Sequence, residues 1–299
     1  MKFPTFYHQT VLLNEAVDGL NIKPGGIYVD ATFGGGGHTN KMLEKLGPDG
    51  KIFAFDQDED AWRNRPDDNR VQVVKENFRY MKRFLRMHQV LAVDGILADL
   101  GVSSYQFVTA GRGFSLRFDG PLDMRMDRRQ ELKASDVVQN YSEAKLQKLF
   151  EEYGEVRNAR QLAKCITDKR SATKLNTVET LKATVAEVVK GMPAKYFAQM
   201  FQALRMEVND ETGALKDLLE QAATLLKPGG RLSVITFHSI EDRLVKQFVK
   251  KGHFGEQDNV QNELIVFRQM TPKPIEPTDE EMKKNPRSRS AKLRIAEKI

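Results

Sequence analysis

A run of four consecutive glycines constrains the fold of this chain more than any other feature. Residues 30–38 (DATFGGGGH) join a short β-rich run to a segment of helical character. Glycine lets a backbone turn sharply and approach a ligand closely. The following helix would present its N-terminus there, where anions and polar groups are favoured. The sequence therefore predicts a strand–loop–helix unit that binds a ligand, and a purely structural turn is the alternative.

The alternation of strands and helices extends well beyond this loop. Predicted strands occupy residues 27–32, 51–55, 71–75, 94–100, 231–237, 264–268 and 292–297. The last two strands could pair antiparallel at the edge, whereas alternation with helices favours parallel βαβ units. We therefore predict an α/β fold with a doubly wound, seven-stranded sheet.

A long central segment interrupts this pattern. Helical patterns cover residues 134–140, 143–153, 158–167 and 178–190, Met192-Pro193 interrupts them, and no strong strand pattern lies among them. We predict two domains, one made of residues 1–107 and 203–299 and the other an all-helical insertion at 108–202. Lys227-Pro228-Gly229-Gly230 reads as a helix stop before the fifth strand.

Three predicted strands end in acidic residues, namely Asp30, Asp56 and Asp99. Asp56 lies about 20 residues past the glycine loop, where a carboxylate can bind ribose hydroxyls. A pyrophosphate would be repelled by this cluster, and the loop is not G-x-G-x-x-G. A sulfonium cation fits better, so S-adenosylmethionine is preferred to a dinucleotide. Phe78 follows the third strand and could pack on adenine, with core packing as the alternative.

Composition excludes several other classes of protein. The chain has 299 residues and a net charge of +6, and no stretch approaches the about 18 apolar residues that span a membrane. Its one cysteine, Cys165, excludes a disulfide framework within one chain, and no secretory signal is visible at the start. We therefore predict a cytoplasmic protein without a metal site. The segment 238–242 (HSIED) offers a possible metal-ligand set and a possible serine nucleophile, but adjacent side chains point in different directions and no G-x-S-x-G motif is present, so neither is favoured.

Two basic segments are candidates for nucleic-acid contact. Residues 111–129 interleave arginines with aromatic residues, and residues 283–294 carry six basic residues and no acid. Arginine with aromatics suits phosphate contact and base stacking, whereas a salt-bridged connector or a solvated face is the alternative. The RNA-facing candidates are Arg112, Arg117, Arg125, Arg128, Arg287 and Arg289.

Several strings across the whole chain carry a specific resemblance. They are residues 8–13 (HQTVLL), 30–38, 94–104 (DGILADLGVSS), 112–115 (RGFS), 119–127 (DGPLDMRMD), 201–205 (FQALR) with 208–209 (VN), 228–231, 237–243 (FHSIEDR) and 285–289. With them the chain resembles the ribosomal RNA small subunit methyltransferase H family, the 16S rRNA cytosine-N4 methyltransferases. This resemblance implies a Rossmann-like methyltransferase sheet and S-adenosylmethionine as the cofactor.

The resemblance also implies site residues. The family's cofactor contacts would fall on Gly36, Gly37, His38, Asp56, Phe78, Asp99 and Gln106. The family commonly has a proline before that glutamine, where this chain has Tyr105. The D/N-P-P-Y/F motif of many amine methyltransferases is absent, so Asp99 is the candidate acceptor that positions the target amine.

The implied partner is 16S rRNA in the small ribosomal subunit, and the implied oligomeric state is a monomer or homodimer. The helical insertion would be the rRNA recognition domain. One competing interpretation is a non-catalytic RNA-binding or ribosome-assembly protein that retains the cofactor fold. Another is a methyltransferase acting on DNA or protein.

Overall fold

The computed structural model describes residues 10–254 and 266–299, which form two compact units. Unit 1 comprises the described residues of Met1–Gly101 and Thr212–Ile299, and unit 2 comprises Val102–Glu211.

Unit 1 contains a seven-stranded sheet. Its strands are β1 (Ile27–Asp30), β2 (Lys51–Phe55), β3 (Val71–Val74), β4 (Val93–Asp99), β5 (Leu226–Thr236), β6 (Phe267–Gln269) and β7 (Lys292–Lys298). They lie in the order β3-β2-β1-β4-β5-β7-β6. The first five strands pair in parallel, and β7 is antiparallel to both β5 and β6.

Helices cover both faces of this sheet. They are α1 (Leu13–Gly19), α2 (Gly37–Leu43), α3 (Met81–Met87), α10 (Glu211–Leu225, from Thr212 on in this unit), α11 (Ser239–Lys251) and α12 (Asp279–Lys284). Successive residues of a strand point to opposite faces. Phe53 and Phe55 pack with α3, α10 and α11, whereas Ile52 and Ala54 pack with α1 and α2. The prediction of a doubly wound α/β sheet is therefore confirmed.

Unit 2 is built from helices around a core of its own. They are α4 (Ser104–Val108), α5 (Ala134–Asn140), α6 (Glu143–Glu152), α7 (Ala159–Lys169), α8 (Val178–Val185) and α9 (Pro193–Asn209). Their apolar faces meet in one cluster that includes Phe150, Ile166, Leu181 and Leu204. The one short β-bridge found in this unit joins Pro121 to Thr177.

The structure differs from the sequence-based prediction in the region around α9. The domain boundary expected between residues 202 and 203 falls inside this helix of 17 residues. Along the chain, the boundaries between the two units lie after residue 101 and after residue 211. Met192-Pro193, predicted to interrupt the helical pattern, instead marks the start of α9. Proline at the first helical position starts a helix, because its missing N–H is not needed there. Helix α1 was also missed.

Two strand predictions were less accurate at their ends. Residues 227–230 lie within β5 but form an irregular stretch. In the pairing of β4 with β5, Val93 is opposite Leu226 and Gly95 is opposite Arg231, so the four residues between them on β5 have only one counterpart on β4. Helix α10 does end just before them, at Leu225. In the predicted strand 264–268, residues 264 and 265 lie outside the described part of the chain, and β6 begins at Phe267.

Among residues 10–254 and 266–299, none of the helices combines the length and apolar character that crossing a lipid bilayer requires.

Candidate functional site

The glycine loop between β1 and α2 needs its glycines for two different reasons. Gly34 has φ of 50° and Gly36 has φ of 77°, a left-handed conformation that side chains disfavour. At Gly37 the constraint is space, because a Cβ there would lie 1.9 Å from Thr10 Oγ1. Part of the N-terminal segment thus packs directly on the start of α2. The sequence analysis did not single out Thr10, although HQTVLL contains it.

Asp56 supports this loop from the end of β2. Its Oδ2 accepts the Gly34 N–H at 2.8 Å, and its Oδ1 accepts the Asp58 N–H at 2.8 Å. Burial raises the pKa of Asp56 to about 7, against the lowering effect of these two bonds. A carboxylate has about four lone-pair sites, so two bonds leave acceptor capacity. The predicted ribose contact is therefore chemically available at Asp56.

Asp30 ties the first strand to the helix after the loop. It is fully buried, and it accepts hydrogen bonds from the Thr39 hydroxyl at 2.7 Å and the Thr32 N–H at 3.1 Å. Burial raises the pKa of Asp30 to about 6. Its role is to hold α2 in place behind the loop.

Asp99, at the end of β4, has the least satisfied carboxylate of the site. Its backbone N–H donates to Thr32 Oγ1 at 2.6 Å, but its Oδ1 is buried and has no hydrogen-bond partner among the described residues. Burial first, and then the charges of Asp30 and Glu241, raise the pKa of Asp99 well above its usual value. A buried polar atom without a partner is unusual, and this one is free to accept a hydrogen bond from a ligand.

His38 lies beside Asp99 in the first turn of α2. Its Nδ1 is 3.9 Å from Asp99 Oδ2, and its Nε2 is 3.2 Å from the Val11 carbonyl oxygen. Because a carbonyl oxygen can only accept, the Nε2 atom carries the proton in this contact. The buried imidazole therefore joins the N-terminal segment to the end of β4.

The two remaining predicted cofactor residues have different surroundings. Phe78 begins a 3₁₀ turn after β3 and is partly buried against the core of unit 1, so packing accounts for part of its role. Asn77 next to it donates to Gln57 Oε1 at 2.8 Å, which connects the loops after β3 and β2. Gln106 lies in unit 2, where its Oε1 accepts the Ser103 N–H in a capping box of α4.

Glu241 and His238 follow β5 and belong to the HSIED segment, which the sequence did not favour as a ligand set, and their place beside the acidic strand ends was not predicted. Glu241 is buried; its Oε2 accepts the Phe237 N–H at 2.8 Å, and its Oε1 lies 3.1 Å from His238 Nε2. Since β5 adjoins β4, this carboxylate is close enough to act on Asp99 electrostatically. The string FHSIEDR contains the signal that could have placed Glu241 in the site. It puts an acid in the first turn of the helix that follows a parallel strand.

The basic candidates divide into two groups. Arg112 is 2% exposed, and its Nη2 donates to the carbonyl oxygens of Arg125 and Met126. The expectation that Arg112 faces RNA is therefore wrong, because its guanidinium holds the loop. Arg125 is also committed within this loop, to Asp123 at 2.8 Å and the Gln130 carbonyl oxygen at 2.7 Å. The exposed members are Arg117, Arg128, Arg287 and Arg289.

Comparison with known proteins supplies the family. The model of the MraW methylase family matches residues 5–299. The chain belongs to the MraW methylase family. A Flavobacterium johnsoniae protein named ribosomal RNA small subunit methyltransferase H is 53% identical over 297 residues, which cover 98% of each chain. A protein of that name from Bacteroides fragilis is 51% identical over 298 residues, again 98% of each chain.

A solved structure described as a putative rRNA-methylase from Clostridium thermocellum is also similar. It is 14% identical, with a TM-score of 0.46, over 97% of this chain and 99% of that chain.

The predicted resemblance is thus confirmed, and this MraW methylase family member uses S-adenosylmethionine as its cofactor. The residues fit that group on two observations. The loop at Gly34–Gly37 leaves no side chain between backbone and ligand, and Asp99 offers a buried, unused acceptor atom. The buried carboxylates around it favour a cation over a phosphate.

Proposed function

We propose that this protein is a cytoplasmic enzyme that methylates 16S rRNA of the small ribosomal subunit, at the exocyclic N4 amine of a cytidine. The main support is membership of a methylase family together with full-length relatives that are named as small subunit rRNA methyltransferases. The monomeric or homodimeric state remains a prediction.

The chemistry asks for a hydrogen-bond acceptor more than for a strong base. The lone pair of the N4 amine is conjugated with the ring, so the amine must be oriented and partly freed from conjugation. S-adenosylmethionine supplies an electrophilic methyl group. As the new N–C bond forms and the C–S bond breaks, the amine becomes acidic and its proton needs an acceptor.

Asp99 is the residue proposed for that task. Its Oδ1 is buried and has no partner among the described residues, so it can accept a hydrogen bond from an amine without losing one. Its raised pKa makes it a better proton acceptor than an exposed carboxylate once it is ionised. Cofactor contacts are proposed for Gly36, Gly37, His38, Asp56, Phe78, Asp99 and Gln106.

RNA binding is proposed for exposed arginines in two places. Arg117 and Arg128 lie in unit 2, which we propose as the rRNA recognition domain, and Arg287 and Arg289 lie in a 3₁₀ segment before β7. Clustered positive charge binds phosphates without regard to sequence and strengthens association at low salt. The target base must leave its stack to reach a buried site.

The decisive experiment uses radiolabelled S-adenosylmethionine and small ribosomal subunits from a strain that lacks this enzyme. Digested RNA should carry its label in N4-methylcytidine. Label in another nucleoside would contradict the base assignment, whereas methylation of only DNA or protein would contradict the RNA assignment.

Two measurements on one variant separate catalysis from cofactor binding. Asp99→Asn keeps the side-chain shape and should lose most of the methyl transfer. Calorimetry measures its cofactor affinity separately. If wild-type protein binds cofactor and subunits but transfers no label, the alternative of a non-catalytic assembly protein is supported instead.

A further inference from the structure

Unit 2 exposes a group of large apolar side chains in one short stretch of chain. Tyr105 is 50% exposed, Phe118 is 49% exposed and Val108 is 37% exposed. Among the described residues of unit 2, the one other large apolar side chain with a similarly exposed surface is that of Met192. Apolar groups that stay in contact with water at one place mark interaction surfaces more often than scattered ones do.

The backbone brings the chain just after Val108 beside the chain just after Phe118. A Cβ on Gly120 would lie 2.3 Å from the Ala110 carbonyl oxygen, so the chain returns to the end of α4. Val108 lies two residues before Ala110, and Phe118 lies two residues before Gly120. Consecutive Cα atoms are about 3.8 Å apart, so the Cα of Val108 lies within about 8 Å of that of Ala110, and the Cα of Phe118 lies within about 8 Å of that of Gly120.

The loop that carries Phe118 is fixed rather than free. Asp119 Oδ1 accepts the N–H groups of Glu179 and Gly120 at 3.0 and 2.9 Å. The Gly120 carbonyl oxygen in turn accepts the Val178 N–H at 3.0 Å. These bonds hold the segment against the start of α8, so little entropy would be lost when a ligand binds to it.

Arg117 supplies a positive charge beside Phe118, and the ionised carboxylate of Asp119 follows on the other side. Arg117 is exposed next to Phe118 and has no ion-pair partner within residues 10–254 and 266–299. The neighbouring acid, Asp119, already accepts two backbone N–H groups. Exposed aromatic faces with a free guanidinium suit single-stranded RNA, since bases stack on rings and phosphates bind cations.

We propose that Tyr105, Val108, Arg117 and Phe118 form an aromatic platform on which unpaired bases of the substrate RNA stack. In this platform the two rings contact bases and Arg117 contacts a phosphate. The inference rests on the proposed function, since it takes the RNA substrate from there. It adds residues that recognise unpaired RNA through ring faces rather than through charge.

The test compares Tyr105→Leu and Phe118→Leu with the wild type. Leucine keeps an apolar side chain but removes the ring face. Affinity is measured for transcribed 16S rRNA and for undermethylated small subunits over a range of salt concentrations. We expect each variant to bind about tenfold or more weakly, with an unchanged slope of log affinity against log salt.

Two controls separate stacking from charge and from general damage. Arg117→Gln should reduce the salt slope by about 0.7, because one phosphate contact to a single strand is lost. Tyr80→Leu removes a ring that is 48% exposed in unit 1 and should leave RNA affinity unchanged. Circular dichroism and cofactor affinity establish that each variant is folded.

The outcomes distinguish this inference from the function on which it rests. If the wild type forms N4-methylcytidine but both leucine variants bind RNA as it does, the platform is refuted alone. If ring removal weakens RNA binding but no methylcytidine forms, the platform stands and the methylation proposal fails. Loss of binding to subunits without loss of binding to free rRNA would indicate a protein partner and overturn the assignment to RNA.

Discussion

Replacing Asn209 by alanine should strongly destabilise unit 2. This residue ends α9 and is buried, and its side chain makes three hydrogen bonds. Its Oδ1 accepts the Met126 N–H at 2.7 Å, and its Nδ2 donates to the carbonyl oxygens of Met124 and Arg205 at 2.8 Å. The DGPLDMRMD segment is thus attached to α9 through one amide.

The magnitude follows from the groups that lose their partner. Arg205 belongs to a helix, where its carbonyl oxygen has an intrahelical bond as well. The N–H of Met126 and the carbonyl oxygen of Met124 would be left buried without Asn209, at about 1–3 kcal/mol each. The better helix propensity of alanine returns about 0.7 kcal/mol. The expected loss is therefore about 1–5 kcal/mol, a large part of the about 5–15 kcal/mol that stabilises a typical domain.

Urea unfolding followed by far-ultraviolet circular dichroism measures this loss. With a slope of about 2 kcal/mol per M, the midpoint should fall by about 0.5–2.5 M. Trp62, the one tryptophan of the chain, lies in unit 1 and its fluorescence reports that unit separately. Asn140→Ala, at the exposed end of α5, is the matched control and should change stability by less than about 0.5 kcal/mol. Equal midpoints for Asn209→Ala and this control would refute the reasoning.

Three further predictions concern the cofactor site. Asp56→Ala should weaken S-adenosylmethionine binding about tenfold or more, because it removes the proposed ribose acceptor and the hydrogen bond that supports the glycine loop. Calorimetry measures this affinity, and an unchanged value would contradict the prediction. Glu241→Gln removes a negative charge that contributes to the raised pKa of Asp99, so the acid limb of the rate–pH profile should move to lower pH. Exposed Glu220→Gln is its control, and an unmoved limb would count against the Asp99 assignment. Gly37→Ala places a Cβ 1.9 Å from a side-chain oxygen, so the N-terminal segment must shift and cofactor affinity should fall; full affinity would show that this packing is dispensable.

The parallel sheet could be predicted from sequence because its signals are local. Strand β2 was placed at its observed ends, and β1 and β3 were correct to within two residues. Each reads as a short apolar run bounded by turn residues or acids, as buried parallel strands do. The acids at the strand ends then indicated that a site lies at the carboxyl ends of the strands, because neighbouring parallel strands end on the same side of the sheet.

The rest depends on contacts that form only in the folded chain. Arg112 and Arg117 are five positions apart in one loop, yet one is buried and the other is exposed. What distinguishes them is the pair of carbonyl oxygens at residues 125 and 126, which come near Arg112 only after folding. Residue type alone could not show which arginine is structural. Likewise, Pro193 can end one helix or begin the next, and tertiary packing selects the second.

The crowding of carboxylates at the end of the sheet explains why a cation belongs there. The pKa values of Asp30 and Asp56 are raised to about 6 and about 7, so the folded state binds more protons than the unfolded state between about pH 4 and 7. Stability without a ligand must therefore fall as pH rises through this window. A bound sulfonium would favour the ionised carboxylates and offset that loss, whereas a pyrophosphate would increase it. The same acids that made a dinucleotide unattractive from the sequence thus couple cofactor binding to the stability of unit 1.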